Sequence, residues 1–380
     1  MNEEQQKQPT KKKKALRILL IVFLVLLCLL CVLVLTVTVM FHRYYSLMQY
    51  ESVDESIPSL TEEEISAILD KLYGDESVNS ENEMPEDSRV ELDNSMDQIV
   101  GNVSSEESEE APSAPAQSSE EPSDVPPEVP HEKVSNVLVI GLDKEADGHS
   151  RSDVMILVSI NEETGKIALT SMLRDTYLTI PGYPNNRLNA AYAFGGVSLL
   201  QKTIKQNFDI DIDRYITIDF QAFTTIIDIL GGIELELTEQ DCKNVFAGQN
   251  KPAGKYLLTA EQALHYARWR KGSDDFDRTS RQRTVMLTVI RRMLAMSLSE
   301  LTSVMEQTLP LVSTDLTEAD CYSILFNVVD LAKYEFSSAR IPYPGTWEYA
   351  TIDGRDVITV DLAENRRLFY ESTMDETERG

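Results

Sequence analysis

The sequence predicts an α/β protein, a mixed β-sheet covered by helices on both faces, preceded by one transmembrane helix and a disordered acidic stalk. Three observations carry this reading. From Val134 onward, short apolar runs of strand length alternate with segments of helical spacing. Residues Ile18 to Phe41 form an unbroken run without charge, long enough as a helix to span the ~30 Å hydrocarbon core. Residues 44–133 hold 25 Asp/Glu against 3 Lys/Arg, so most of the net charge of −28 sits between the apolar run and the folded region.

Taken in order, residues 1–17 form a basic tail in which Lys11, Lys12, Lys13, Lys14 and Arg17 precede the 18–41 span. This flank keeps the N-terminus in the cytoplasm and puts everything after Arg43 outside, as a single-pass membrane protein. The run is too long for a cleaved leader and lacks a small-residue cleavage site. Residues 42–133 read as the extracellular stalk. Within it, "SLTEEEISAILDKLYG" (59–74) reads as a short helix, with Thr61 and Glu64 as a capping box and Ile65, Ile68, Leu69 and Leu72 on one face. From Asp75 to Lys133, Ser, Glu and Pro dominate, and such a segment cannot bury enough apolar surface to offset its chain entropy.

The folded domain spans 134–380. "NVLVIG" (136–141) is a strand, and "DVMILVSI" and "KIALTSML" flank "NEETGK" as a hairpin. Helices follow at 196–208 and 220–230, the latter ended by Gly231 and Gly232, with strands "RYITI" (214–218) and "IELEL" (233–237) beside them. "TAEQALHYAR" opens on a Thr259/Gln262 capping box. Helices at about 277–297, 317–333 and 361–371 and strands near 336–342 and 355–360 complete the pattern.

Several classes are excluded. Four scattered histidines and the absence of HExxH or CxxC spacing argue against zinc, and no Walker loop, GxGxxG or GxSxG is present. Outside the apolar run only Cys242 and Cys321 could form a disulfide. An acidic domain outside the membrane does not bind nucleic acid.

Charge is arranged unusually in "ARWRKGSDDFDRTSRQR" (267–283). Arg278, Arg281 and Gln282 share a helix face, and Arg268 and Arg270 lie across a turn from them. Arginine forks bind phosphate bidentately, and clustered arginines repel unless an anion is shared between them. The bland alternative is a surface helix laced with Asp–Arg pairs. Further arginines and aspartates recur at strand ends, namely Asp143, Arg151, Asp153, Arg174, Asp175, Arg187 and, beside them, Asn189. The carboxyl ends of strands are where ligands bind in such sheets. Asp143 and Asp153 with Arg151 nearby could hold Mg²⁺ against a phosphate.

In order, "RSD", "LRDTY", "NRLNAAYAFGG", "EQALHYARWR" and "DFDRTSRQR" resemble the LytR-CpsA-Psr family of cell-wall glycopolymer transferases, as does the middle segment "DFQAFTTIIDILGGIELEL". The resemblance covers Asn136 to Met296. It implies an α/β/α sandwich with an apolar tunnel for a prenyl tail. It also implies transfer of a glycopolymer from undecaprenyl diphosphate to a peptidoglycan hydroxyl, C6 of N-acetylmuramic acid, with release of undecaprenyl phosphate. On matching positions, Asp143 and Asp153 look like Mg²⁺ ligands. Arg174, Asp175 and Arg278 look catalytic. Arg151, Arg187, Asn189, Arg268, Arg270, Asp275, Arg281 and Gln282 look like diphosphate and head-group contacts. Asp175 either takes the acceptor proton or orients Arg174, and Asp143 is a second candidate base. Leu173 stands where the family usually has proline. Phe194, Phe208, Phe223, Ile227, Val285 and Val289 read as core rather than tunnel lining. Two other readings stay open: a non-catalytic prenyl-diphosphate-binding regulator, and a prenyl-diphosphate hydrolase. The polymer, whether teichoic acid, capsular polysaccharide or another, is not specified by these motifs.

Overall fold

The computed structural model describes residues 38–54, 56–73, 134–144, 150–247, 249, 251–269 and 275–373. Seven strands build the central sheet: β1 (Gln49–Tyr50), β2 (Val134–Lys144), β3 (Ser150–Asn161), β4 (Lys166–Met172), β7 (Arg214–Asp219), β10 (Val312–Thr314) and β11 (Glu335–Ile341). Their order is β1-β10-β7-β2-β3-β4-β11. β2 runs parallel to β7 and antiparallel to β3, β3 antiparallel to β4, and β4 parallel to β11, so the sheet is mixed as expected. The carboxyl ends of β7, β2, β4 and β11 therefore meet at one edge of the molecule, together with the start of β3.

Side-chain alternation explains the layers. Leu138, Ile140, Leu142, Met155, Leu157 and Met172 point to one face, against α1 (Glu62–Tyr73), α2 (Leu188–Phe208) and α9 (Leu362–Thr373). Ile156, Ile167 and Leu169 point to the other, against Met286, Leu287 and Ile290 of α6 (Asp275–Leu294) and Leu331 of α8 (Glu318–Leu331). On this second side a separate core joins α3 (Phe220–Ile229), the hairpin β8 (Ile233–Leu237) and β9 (Gly254–Leu258), α4 (Glu239–Val245), α5 (Ala260–Arg268), α6 and α7 (Leu298–Thr308). Phe194 and Phe208 are buried in the first core, Ile227 and Val285 in the second, with Phe223 and Val289 partly buried beside them. All six pack as ordinary core.

Local chemistry sets the helix starts. Thr238, Thr259, Ser297 and Thr317 each accept from the backbone N–H three residues on, and the side chain at that third position answers, giving capping boxes on α4, α5, α7 and α8. Glycine corrects one expectation. The pair Gly195–Gly196 reads as the start of a helix, yet residues 188–194 are already helical. Gly196 has φ 61°, which breaks α2 into two pieces. A Cβ on Gly195 would lie 2.6 Å from Leu199 Cβ.

The acidic stretch 42–133 is corrected in part. Residues 38–45 are helical. Phe41 stacks on Tyr322, with ring centroids 3.5 Å apart, and His42 Nδ1 lies 3.1 Å from Glu318 Oε1. β1 then adds to the sheet, with Gln49 opposite Ser313. α1 forms with its Thr61/Glu64 capping box, buries Leu72 and Tyr73, and lays Ile65, Ile68 and Leu69 on the core. This part of the expected stalk is docked because its apolar stripe finds a partner in α2. The remainder of the stalk, and the predicted span Ile18–Phe41 apart from its last residues, lie outside the described residues. No described helix is long and apolar enough to cross a membrane.

The sequence reading missed β1, α4, β9, β10 and α7, the short pair β5 (Tyr177–Leu178) and β6 (Asn186–Arg187), and the strand β12 (Trp347–Ile352) that pairs with β13 (Arg355–Val360). Cys242 and Cys321 are both free, and the Cys242 thiol donates to the Pro252 carbonyl at 3.2 Å.

Candidate active site

The site is assembled where β4 leaves the sheet. Leu173 continues the ladder, its N–H donating to the Ile341 carbonyl at 3.0 Å. A turn then closes, with the Thr176 hydroxyl on the Leu173 carbonyl at 2.8 Å. This turn presents Arg174 and Asp175. The chain returns through β6, and backbone bonds from Leu188 N–H to the Thr176 carbonyl (2.8 Å) and from Asn189 N–H to the Arg174 carbonyl (3.2 Å) clamp the two segments together. "LRDTY" and "NRLNAAY" thus become neighbours through main-chain pairing.

The side chains form a linear network. Arg174 Nη1 donates to Asp153 Oδ1 at 2.8 Å, Arg174 Nε lies 3.4 Å from Asp175 Oδ2, and Arg187 Nη1 lies 3.2 Å from Asp175 Oδ1. Arg174 and Arg187 side chains are only 9% and 5% exposed, whereas Asp153 and Asp175 keep 20% and 18%. Two guanidinium groups are therefore held inside, and carboxylates fix their orientation. Arg187 also donates through Nη2 to the Asp356 carbonyl. The Asn189 side chain is buried beside this pair, and its Oδ1 accepts no hydrogen bond among the described residues.

Two residues that no motif marked complete the wall. Tyr73, the last residue of α1, lies under both the Arg187 and Arg355 guanidiniums, each 4.6 Å from the ring centroid, and its hydroxyl donates to Asn186 Oδ1 at 2.7 Å. β13 docks on the same turn through the Ile358 N–H to the Asp175 carbonyl at 3.0 Å. Neither follows from spacing in the sequence, because both contacts join segments more than a hundred residues apart. The available signal for Tyr73 was only the end of a predicted amphipathic helix.

The remaining candidates distribute around this network. Asp143 and Arg151 are backbone partners across β2 and β3, one register step from Leu142 and Ser152, with a bulge at Gly141/Leu142. Gly141 is required there, since a Cβ would stand 2.8 Å from Val154 Cβ. Leu142 pairs in turn with Asp219, whose carboxylate caps α3 through Ala222 N–H at 2.8 Å. Arg268, at the end of α5, lies 4.3 Å above the Phe220 ring at that same strand end. Arg278 is 3% exposed in the first turns of α6, and Phe276, two residues earlier, packs on Leu173 next to Arg174. Arg281 and Gln282 are turned otherwise. Arg281 donates to the carbonyls of Tyr266 (3.1 Å) and Trp269 (2.6 Å), and Gln282 to that of Ala267 (3.4 Å), tying α6 to the end of α5. Asp275 opens α6. Arg270 and the side chains of Asp143, Arg151 and Asp275 lie outside the described residues. Among the described residues no group of three His, Cys, Asp or Glu side chains is gathered as a metal cage.

A three-layer α/β fold with buried arginines oriented by aspartates at the carboxyl edge of a mixed sheet has the charge arrangement of an anion-binding site. The chain belongs to the LytR_cpsA_psr family, whose model matches residues 98–372. It is 36% identical over 161 residues to the regulatory protein MsrR of Staphylococcus aureus, a match covering 42% of this chain and 49% of that protein, so the chain spans about half the length of this relative. It is 32% identical over 259 residues to the polyisoprenyl-teichoic acid–peptidoglycan teichoic acid transferase TagU of Bacillus cereus, covering 64% of this chain and 82% of that one. Solved structures of TagT match the same fold. TagT bound to LIIa-WTA gives a TM-score of 0.53 at 24% identity, covering 64% of this chain and 91% of that one. TagT with bound octaprenyl pyrophosphate lipid gives 0.50 at 20%, covering 66% and 94%.

Proposed function

We propose that this protein is a membrane-anchored phosphotransferase that moves a glycopolymer from undecaprenyl diphosphate to the C6 hydroxyl of N-acetylmuramic acid in peptidoglycan, releasing undecaprenyl phosphate. The observation that carries the reading is the Asp153–Arg174–Asp175–Arg187 network, in which two buried guanidiniums are already oriented at the strand ends. Phosphoryl transfer concentrates charge on oxygens around phosphorus, and fixed donors in a site of low polarity stabilise it without reorganising. The names of TagU and of the liganded TagT structures support the same class of donor and acceptor.

In this reading Arg174, Arg187 and Arg278 bind the diphosphate, with Arg151, Arg268 and Arg270 at its margin. Asp175 lies between the guanidiniums of Arg174 and Arg187, which is the position of an orienting group, so it holds them rather than moving a proton. Arg281 and Gln282 act through α5, keeping Arg268 in place. Asp153 offers a partly exposed carboxylate, and Asp143 lies on the neighbouring strand, the oxygen-donor chemistry that suits Mg²⁺. Mg²⁺ held there would supply further charge neutralisation for the phosphate oxygens. In this reading residues 18–41 serve as the membrane anchor, and the domain works outside the cytoplasmic membrane, beside both the lipid-linked donor and peptidoglycan.

The test uses the full-length protein, a synthetic prenyl-diphosphate glycan and Mg²⁺, with and without peptidoglycan oligomers. Transfer product that requires the oligomers is the expected result. Free glycan phosphate would assign a hydrolase, and binding without turnover a regulator; either outcome ends the transferase reading. An Asp175→Asn variant should retain activity within about tenfold if the residue orients, and lose it further if it is the base.

A further inference from the structure

A second pair of arginines lies outside the network described above. Arg283, on α6, is 6% exposed and donates through Nε to Ser338 Oγ at 2.7 Å. Its Nη1 is buried without a hydrogen-bond partner among the described residues, and no ion pair there joins Arg283 to a carboxylate. Arg340, on the edge strand β11, lies 4.2 Å above the Phe276 ring. Ser338 and Arg340 are two residues apart, so both face α6. Burial, and then the Arg340 charge, push the Arg283 guanidinium down to about 10. A buried Arg283 guanidinium that meets no carboxylate among the described residues costs stability, and an apolar side chain of similar size would avoid that cost. Guanidinium forks meeting a serine hydroxyl at a half-open sheet edge match the oxygens of a phosphate.

We propose that Arg283, Arg340 and Ser338 form a second oxyanion subsite that binds a phosphate group other than the transferred diphosphate. Phe276 forms its floor and separates it from the Arg174 cradle, because the same ring packs on Leu173. The Arg283 guanidinium reaches Ser338, an exposed residue of the edge strand, and Arg340 lies two positions further along that strand. Further along the strand Arg291 lies 5.5 Å above the Phe336 ring, so basic side chains continue along this edge. The subsite rests on the proposed function only for the source of its phosphate, either a phosphodiester within the bound glycopolymer or free inorganic phosphate.

The test is calorimetric titration of the full-length protein with inorganic phosphate, with an oligo(glycerol phosphate) and, separately, with octaprenyl diphosphate. Arg283→Met and Arg340→Met should each weaken the first two ligands by about tenfold or more, while octaprenyl diphosphate binding changes by less than about threefold. Arg283→Met should melt no lower than the parent, since it removes a buried charge. Arg283→Lys, which keeps the charge and loses the fork, should show an intermediate affinity and covers the case in which the methionine variant fails to fold. Tighter binding of the oligomer than of inorganic phosphate assigns the polymer as source, and the reverse assigns the free ion. Unchanged phosphate affinity in both methionine variants, or a loss seen only when Arg187 is replaced, would overturn the subsite. Failure of octaprenyl diphosphate to bind any form would instead sink the transferase reading and leave the subsite standing on its phosphate titration.

Discussion

Two arginine–aspartate pairs sit at opposite ends of the central strands. At the carboxyl edge, Arg174 meets Asp153 at 2.8 Å with side chains 9% and 20% exposed. At the start of β7, Arg214 meets Asp320 at 2.6 Å with side chains 34% and 31% exposed. The outer pair is the shorter, yet it has the smaller consequence. Arg214 is solvated, and Asp320 also serves as the capping partner of Thr317 at the start of α8. Its job is to fasten a helix to a strand. Arg174 is desolvated and shares its guanidinium between two carboxylates, one of which holds a second buried arginine. Distance does not rank these pairs. Burial and the number of shared partners do, because a charge that has left water depends entirely on what surrounds it.

The largest effect that sharpens this contrast is catalytic. Arg174→Ala should lower transfer by about 100-fold or more, the loss expected for one oriented donor, while Arg214→Ala leaves the rate within about twofold. Equal losses in a transfer assay would erase the distinction. Stability comes next. Asp153→Ala removes the shorter of two carboxylate contacts to the buried Arg174 guanidinium and should cost about 2–3 kcal/mol, against about 1 kcal/mol for Asp320→Ala, read from urea midpoints. The smallest effect is in acid. Burial pushes the Asp320 carboxyl up, but hydrogen bonds from Arg214 and Thr317 outweigh it and hold the group below its ordinary value of 3.8. Its contribution is therefore complete above that value and is lost as pH falls through the lower, folded-state value. In melts from pH 5 to pH 2, Asp320→Asn should fall less steeply than the parent. A parallel decline in both proteins would remove Asp320 from the acid response.

How much of this was legible differs by element. The strands "NVLVIG", "DVMILVSI" and "KIALTSM" and the capped helices follow from periodicity and from Thr–Gln or Thr–Glu spacing, which act within a few residues. β5 and β6, of two residues each, carry no periodic signal at all, yet they bring Arg187 to Asp175. Tyr73 was assigned to a stalk because its neighbours are acidic, and only its packing beneath Arg187 and Arg355 gives it a place in the site. Arg281 and Gln282 share a helix face with Arg278 as expected, but a helix face covers an arc. Arg278 is enclosed on that arc while the other two reach the α5 carbonyls.

By itself, the sequence determined the class of fold, the family and the identity of most charged groups at the strand ends, since hydrophobic period, caps and ordered motifs are local properties of the chain. Tertiary structure alone decided which guanidiniums are buried, which carboxylates hold them, that α1 belongs to the domain, and that Arg283 lies beside Arg340. Those outcomes depend on desolvation, and a side chain loses its water only through residues that arrive from elsewhere in the chain.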